Sequence, residues 1–139
     1  MPELTDYVGI DVLPGYVTLR ECQRKEVPAD PGMFAKHDPR FRLILRDRGS
    51  FDLLVDDLPA CDACFIDADH SRAGVINDYA LAKAVTRPGG IIIFHDDNGL
   101  PAVEVSETLD ELHADGDPIE HIAGTWIAYR RIGTKAAIL

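Results

Sequence analysis

The sequence has little cysteine, no long apolar run and no excess of positive charge. Its three cysteines in 139 residues are too few and odd in number for a disulfide framework, which is typical of a reducing cytoplasm. No apolar run approaches the roughly 18 residues that a membrane helix needs. Residues 1–11 lack the basic start and apolar core of a signal peptide. These absences predict a cytoplasmic protein without a membrane partner.

The charge balance argues against a nucleic-acid partner. Lys and Arg number 14 against 24 Asp and Glu, which gives a net charge of −10. An acidic chain of this kind repels phosphate backbones and anionic lipid. The one local exception is a basic group formed by Arg40, Arg42, Arg46 and Arg48.

Short apolar runs alternate with helical patterns along the chain. Strands are predicted over residues 6–12, 41–45, 61–67 and 91–94 and, near the end, over 120–123 and 125–131. Helices are predicted over residues 16–26, 50–58, 71–86 and 103–113, with Ser50 as an N-cap and Pro88-Gly89-Gly90 as a turn. This order predicts one α/β domain over residues 1–139. We expect a doubly wound, mostly parallel sheet with helices on both faces and a C-terminal antiparallel hairpin.

Polar side chains follow the predicted strands at the point where each strand ends. Ligands of open parallel sheets bind outside the carboxyl ends of the strands, so these side chains are expected to gather along one edge. They are Asp11, Asp47, Asp67, Asp69, His95, Asp96, Asp97 and Asn98.

Three segments resemble class I S-adenosylmethionine-dependent methyltransferases, most closely the small-molecule O-methyltransferases of catechol and sugar type. FIDADHS (65–71) and RPGGIIIFHDDN (87–98) resemble the fourth strand, the fifth strand and the ends of the helix between them, and GTWIAYRR (124–131) resembles the last strand. YVGIDV (7–12) and FRLILRDRGS (41–50) resemble the second and third strands more weakly. The resemblance covers nearly the whole chain from Tyr7 onward.

The resemblance implies S-adenosylmethionine as cofactor and a small hydroxylated molecule as substrate. It makes Asp11 the ligand of the cofactor ribose, and Asp47 and Ser50 the neighbours of its adenine. It places Asp67 at a position that faces the cofactor and that metal-dependent members use for a metal-binding acid.

The resemblance also implies an optional Mg²⁺ site. His95 and Asp96 stand where metal-dependent members have Asp-Asn or Asp-Asp, and a shift of one residue places Asp97-Asn98 there instead. Asp67, Asp96 and Asp97 are therefore the predicted metal ligands, although an imidazole at position 95 suits Mg²⁺ poorly. His70 or His95 is the predicted base that takes the proton of the substrate hydroxyl.

One departure from the family concerns its first strand and glycine-rich turn, which hold the amino-acid end of the cofactor. Only six residues precede Tyr7, so we expect an N-terminally truncated domain. The strands at 6–12 and 61–67 then pair directly, or another chain fills the gap, and an exposed central edge predicts a homodimer. In an alternative interpretation, residues 6–12 are the first strand and Gly15 is a remnant of the turn.

Two other functions are also compatible with the sequence. A non-catalytic methyltransferase-like remnant that binds a partner would explain the missing turn, and a metal-dependent hydrolase would use the acidic edge. Cys61 and Cys64 have the spacing of a zinc or redox pair, but residues three apart on a regular strand face opposite sides, which predicts core packing. His121 is predicted to be structural or solvated.

Overall fold

The computed structural model describes residues 5–13, 30–100 and 103–134. The chain divides into two compact units, Met1–Leu53 and Leu54–Leu139. The predicted helix over residues 16–26 lies outside the described residues. The described parts of the two units are presented separately below.

The first unit is built on two parallel strands. Strand β1 is Tyr7–Val12 and strand β2 is Phe41–Arg46, paired in register from Tyr7 opposite Phe41 to Val12 opposite Arg46. A 3-10 helix, Gly49–Asp52, follows β2. Its first residue, Gly49, has φ +59, and a side chain there would begin 2.9 Å from a methyl group of the buried Val12. Glycine therefore lets this helix close over the end of β1.

The second unit contains a four-stranded mixed sheet. Its strands are β3 (Cys61–Ile66), β4 (Thr86–Phe94), β5 (Ile119–His121) and β6 (Ala128–Arg131), arranged in the order β3-β4-β6-β5. Strands β3 and β4 are parallel, whereas β6 is antiparallel to both β4 and β5. The predicted C-terminal antiparallel hairpin is therefore present, formed by β5 and β6 at the edge of this sheet.

Two helices cover one face of this sheet. Helix α1 is Arg72–Val85, and its N-cap Ser71 accepts a hydrogen bond from the Gly74 N–H. Helix α2 is Val105–Ala114. Apolar positions at helical spacing on both helices meet alternate residues of β4, as expected for amphipathic helices on a pleated surface. The shared core consists of Val75, Tyr79, Ala82, Ile92, Phe94, Val105, Leu109, Ile119 and Ala128.

Three local expectations were wrong. Ser50 does not cap a helix over 50–58, because it lies inside the first of two separate 3-10 helices, Gly49–Asp52 and Val55–Asp57. Pro88-Gly89-Gly90 is not a turn before the strand, because β4 begins at Thr86 and carries these residues as an irregular stretch opposite β3. The Cys61 and Cys64 sulfurs do not face opposite sides, because the same irregularity turns them toward each other.

The class of the fold is mixed α/β with parallel strand pairs and two helices. Within the described residues the strands form two hydrogen-bonded sheets, β1-β2 and β3-β4-β6-β5. A single doubly wound sheet with helices on both faces stays a prediction. No helix in the described ranges is long and apolar enough to cross a membrane.

Candidate functional site

The candidate site lies where the parallel strands β3 and β4 end. Ile66 and Phe94 are partners in the register, and the His95 N–H donates to the Ile66 carbonyl over 3.0 Å. The residues that follow each strand, Asp67 and His95, are therefore neighbours at the carboxyl edge of the sheet. This is the edge at which parallel sheets bind ligands.

The backbone of Asp96 turns sharply after His95. Its φ of +59 is the only positive φ outside glycine among the described residues. Aspartate is one of the few side chains that tolerate this left-handed region, because its short polar side chain hydrogen-bonds locally. The turn brings Asp96 Oδ2 to 3.2 Å from His95 Nδ1 and leaves the side chain only 15% exposed.

His70, two residues before α1, lies beside the carboxylates of Asp67 and Asp96. Its Nε2 lies 2.9 Å from Asp96 Oδ2 and 3.9 Å from Asp67 Oδ1. The Glu104 N–H donates to the His70 carbonyl over 3.0 Å, which links the loop before α1 to the N-cap residue of α2. Asp67, His70, His95 and Asp96 are called the rim cluster below.

Asp69, which also follows β3, has a local role. Its Oδ1 accepts from the Ser71 N–H over 2.8 Å, and its other oxygen is buried without a hydrogen-bond partner. Its carbonyl and Cβ lie within 2.8 Å of where a side chain on Gly74 would begin. Asp69 therefore shapes the loop that presents His70, and only glycine fits the helix position that faces it.

Three members of the rim cluster have the geometry of a metal site. One ligand atom from each of Asp67, His95 and Asp96 lies within 4.8 Å of the others. The His95 Nδ1 atom is buried and makes no hydrogen bond, although Asp67 Oδ1 is 3.4 Å away. A buried ring nitrogen without a hydrogen-bond partner is costly unless something else occupies its lone pair or its proton.

The space around these atoms is small. A cavity of about 10 Å³, lined in part by Asp67, Asp69, His70 and His95, has room for one water molecule or one ion. Neither rim carboxylate is paired with a Lys or Arg in the described part of the chain. Two carboxylates that converge without a cationic partner repel each other, so the donor set fits a divalent cation.

Asp97 belongs to a different arrangement. Its Oδ2 lies 2.5 Å from Nδ1 of His121, and its side chain is 9% exposed. The His121 Nε2 faces Asp110 on α2 at 3.3 Å. The Asp97 N–H donates to the Trp126 carbonyl. The predicted metal ligand Asp97 thus contacts the C-terminal hairpin, while His95 takes part in the ligand group.

Aromatic side chains flank His95. The Phe65 ring centroid is 6.1 Å from the His95 ring, and the Trp126 ring centroid is 6.4 Å from it on an edge-on approach. Both aromatic side chains are more than half exposed. Flat, accessible apolar surface therefore borders the carboxylates and imidazoles.

The predicted cofactor residues of the first unit lie at the carboxyl edge of its own sheet. Asp11 is half-buried near the end of β1, and its Oδ1 accepts from the Val12 N–H over 2.8 Å. Asp47 follows β2 and is exposed, and Ser50 lies in the 3-10 helix after it. Because β1 and β2 are parallel and in register, Asp11 and Asp47 follow the same edge.

Sequence reasoning missed the roles of two residues at this site. His121 was expected to be an isolated side chain, yet it joins Asp97 to α2; its 24-residue separation from Asp97 gives no periodic signal. His95 was considered mainly as a base, and only its position beside Asp96 hinted at a ligand. The contact of His121 with Asp97 depends on how β6 brings the hairpin beside β4.

Comparison with known proteins places the chain in a family. A family model described as a methyltransferase domain matches residues 3–96, which is more than half of the chain and ends at Asp96 of the rim cluster. The chain therefore belongs to this methyltransferase domain family. No curated protein matches it.

Proposed function

We propose that this methyltransferase uses S-adenosylmethionine to methylate a hydroxyl oxygen of a small molecule, with a divalent cation held at the rim cluster. The observation that carries the proposal is the convergence of Asp67, His95 and Asp96 at the carboxyl edge of β3 and β4. When bound, the cofactor would supply an electrophilic methyl group: the substrate oxygen would form a bond to this carbon as the bond to the sulfonium sulfur breaks, and S-adenosylhomocysteine would leave. Positioning of the two partners supplies much of the rate in such a reaction.

The ligand chemistry favours a cation other than Mg²⁺. Two carboxylates and one imidazole suit Mn²⁺ or a similar transition-metal ion, whereas Mg²⁺ prefers oxygen ligands alone. The buried Nδ1 of His95 would gain a partner when such an ion binds. Asp67 is 44% exposed on its side chain, so an ion held by these residues would be reachable from solvent.

His70 is the proposed base. Ionised carboxylates only accept hydrogen bonds, so the proton between His70 and Asp96 belongs to Nε2, which lies 2.9 Å from the carboxylate oxygen. The Nδ1 atom of His70 then carries the lone pair. It is the atom assigned to take the hydroxyl proton of the substrate.

The accessible rings beside the rim cluster support a phenol over a sugar as the substrate. Phe65 and Trp126 present flat apolar surface on two sides of His95. An aromatic substrate stacks on such surface with its hydroxyl directed at the carboxylates, which a sugar does less well. Asp11, at the carboxyl edge of β1, is the carboxylate proposed for the ribose hydroxyls of the cofactor.

Calorimetry tests cofactor and metal binding separately. We expect S-adenosylmethionine to bind the wild-type chain, and Asp11→Asn to weaken that binding at least about tenfold, the usual effect of losing a charged hydrogen-bonding partner. Asp6→Asn, an exposed carboxylate just before the same strand, is the matched control and should leave binding unchanged.

The metal titration uses Mn²⁺ and Mg²⁺. Asp67→Asn and His95→Gln should each weaken Mn²⁺ binding about 100-fold, whereas Asp62→Asn, a carboxylate on the same strand paired with Arg87, should not. Transfer of labelled methyl groups to phenols and sugars then identifies the acceptor. Absence of heat with millimolar cofactor contradicts the enzyme proposal and favours a binding remnant. Metal binding without cofactor binding favours a hydrolase.

A further inference from the structure

Two cysteine thiols meet on β3, outside the rim cluster. Cys61 is the first residue of the strand and Cys64 is the fourth, and their Sγ atoms are 3.2 Å apart. Cys61 pairs with Thr86 but Ala63 pairs with Ile91, so the register with β4 shifts between them. Residues 87–90 of β4 stand opposite the single residue Asp62, so the bulge lies in β4, and the two thiols meet on one side of β3 beside it.

Glycine in β4 makes the bulge possible. A side chain on Gly90 would begin 2.7 Å from the Asp62 carbonyl and 2.6 Å from a methyl group of Thr86. Gly89 beside it has φ +87, which few other residues adopt. The packing of Gly90 on Asp62 therefore holds the β3 backbone between the two cysteines against β4.

Neighbouring groups hold the thiols in place. The Thr86 hydroxyl donates to Cys64 Sγ over 3.4 Å, and the Val85 carbonyl is 3.8 Å from Cys61 Sγ. Thr86 is buried, and both cysteines are partly accessible. Desolvation raises the pKa of the Cys64 thiol to about 11, so Cys64 stays protonated near neutral pH.

A metal is a poor occupant of this pair. Structural zinc sites use four cysteine or histidine ligands. In the described part of the chain, the one group of three or more such ligands or carboxylates is Asp67, His95 and Asp96, which belong to the rim cluster. Within the residues that the structure describes, the two thiols therefore lack the further donors that a zinc ion requires.

We infer that Cys61 and Cys64 form a reversible disulfide, closed by exchange with a low-molecular-mass disulfide such as oxidised glutathione. A disulfide bond is about 2.05 Å long, so closing it requires the sulfur atoms to approach by about 1.2 Å and the two Cα atoms to lie within about 7 Å of each other. The inference is independent of the proposed function, since the pair lies outside the rim cluster.

The exchange runs in two steps. Cys61 loses its proton to solvent, and its thiolate attacks one sulfur of the glutathione disulfide, forming a mixed disulfide and releasing one glutathione thiolate, which takes up a proton. The small fraction of Cys64 present as thiolate then attacks the Cys61 sulfur, which expels the second glutathione as a thiolate that takes up a proton. Two protein thiols are oxidised, and one glutathione disulfide is reduced to two glutathiones.

The test uses the full chain with Cys22→Ser, which leaves only these two thiols. The protein is equilibrated at a series of ratios of reduced to oxidised glutathione, quenched with acid, alkylated and weighed by mass spectrometry. We expect both thiols to disappear together, with no stable glutathione adduct. Adding Cys64→Ser should instead leave a stable glutathione adduct on Cys61, because no second thiol resolves it.

The same titration on the urea-unfolded chain measures the contribution of the fold. We expect the folded chain to close the disulfide with an equilibrium constant at least tenfold larger, equivalent to a reduction potential about 30 mV lower. Equal constants in the folded and unfolded chains would overturn the inference. So would two thiols that remain free at every ratio, or a glutathione adduct that accumulates while both cysteines are present.

Discussion

Two polar clusters of four side chains in the second unit differ in composition and in how their charges are matched. The rim cluster contains two carboxylates and two imidazoles at the end of the sheet. The other, which we call the Arg130 cluster, consists of Tyr79, Lys83, Asp117 and Arg130. In it, the Arg130 guanidinium donates to the Tyr79 hydroxyl and pairs with Asp117, while Lys83 Nζ lies 3.2 Å from the second Asp117 oxygen.

The difference indicates what each cluster is for. In the Arg130 cluster a carboxylate receives two cations, and both cations also lie over the Tyr79 ring, so the group stabilises the fold by its own contacts. In the rim cluster the carboxylates face each other and imidazoles, and His95 Nδ1 has no hydrogen bond. The rim cluster therefore has the donor atoms that the proposed cation would bind.

The largest expected effect comes from removing the guanidinium of the Arg130 cluster. Arg130→Met keeps the apolar stem but leaves Asp117 with Lys83 alone and removes the cation beside the Tyr79 hydroxyl, so we expect unfolding to require about 2–3 kcal/mol less free energy. Urea denaturation measures the change. Arg131→Met, an exposed neighbour on the same strand, serves as the control and should shift the value by less than about 0.5 kcal/mol. A similar loss of stability in both variants would mean that the effect does not come from the contacts of the Arg130 cluster.

A smaller effect depends on pH. Burial raises the pKa of Tyr79 to about 12, with Arg130 partly opposing the rise. The folded chain therefore holds the proton more tightly than the unfolded chain, so this stabilisation is complete below pH 10 and is lost as the pH rises toward 12. Relative to Tyr79→Phe, the wild type should lose about 1 kcal/mol by pH 11 and about 2 kcal/mol by pH 12. A constant difference between the two proteins from pH 9 to pH 12 would contradict this.

The smallest expected effect concerns the rim cluster in the absence of metal. Asp67→Asn removes a largely exposed carboxylate whose nearest imidazole nitrogen is 3.4 Å away. We expect the free energy of unfolding, measured in chelator, to change by less than about 0.5 kcal/mol. With saturating Mn²⁺ the wild type alone should gain stability. If Asp67→Asn in chelator lowered the free energy of unfolding as much as Arg130→Met does, the rim cluster would have a structural role.

Elements with regular periodicity were predictable from the sequence. The helix predicted over residues 71–86 is α1 with Ser71 as its cap, and the strand predicted over 61–67 is β3, because hydrophobic spacing and capping chemistry are local properties. The gathering of Asp67, His95 and Asp96 was also predictable. Parallel strands end at one edge, and short loops follow them.

Features set by irregular pairing were not predictable. The register shift between β3 and β4 depends on how Gly89 and Gly90 pack against Asp62, a contact between residues far apart in sequence. The pairing of Asp97 with His121 depends on β6 lying between β4 and β5. Neither has a local signal, so the glycines were interpreted as a turn and His121 as an isolated side chain.

The left-handed backbone at Asp96 restricts what redesign of this site can use. Glutamate would preserve the negative charge but lacks the short side chain that makes this conformation tolerable, and β-branched residues are excluded more strongly. Asparagine and glycine can adopt this backbone conformation, but neither carries a negative charge. Variant libraries aimed at a new metal preference should therefore hold position 96 constant and diversify positions 67 and 95, whose backbones carry no such restriction.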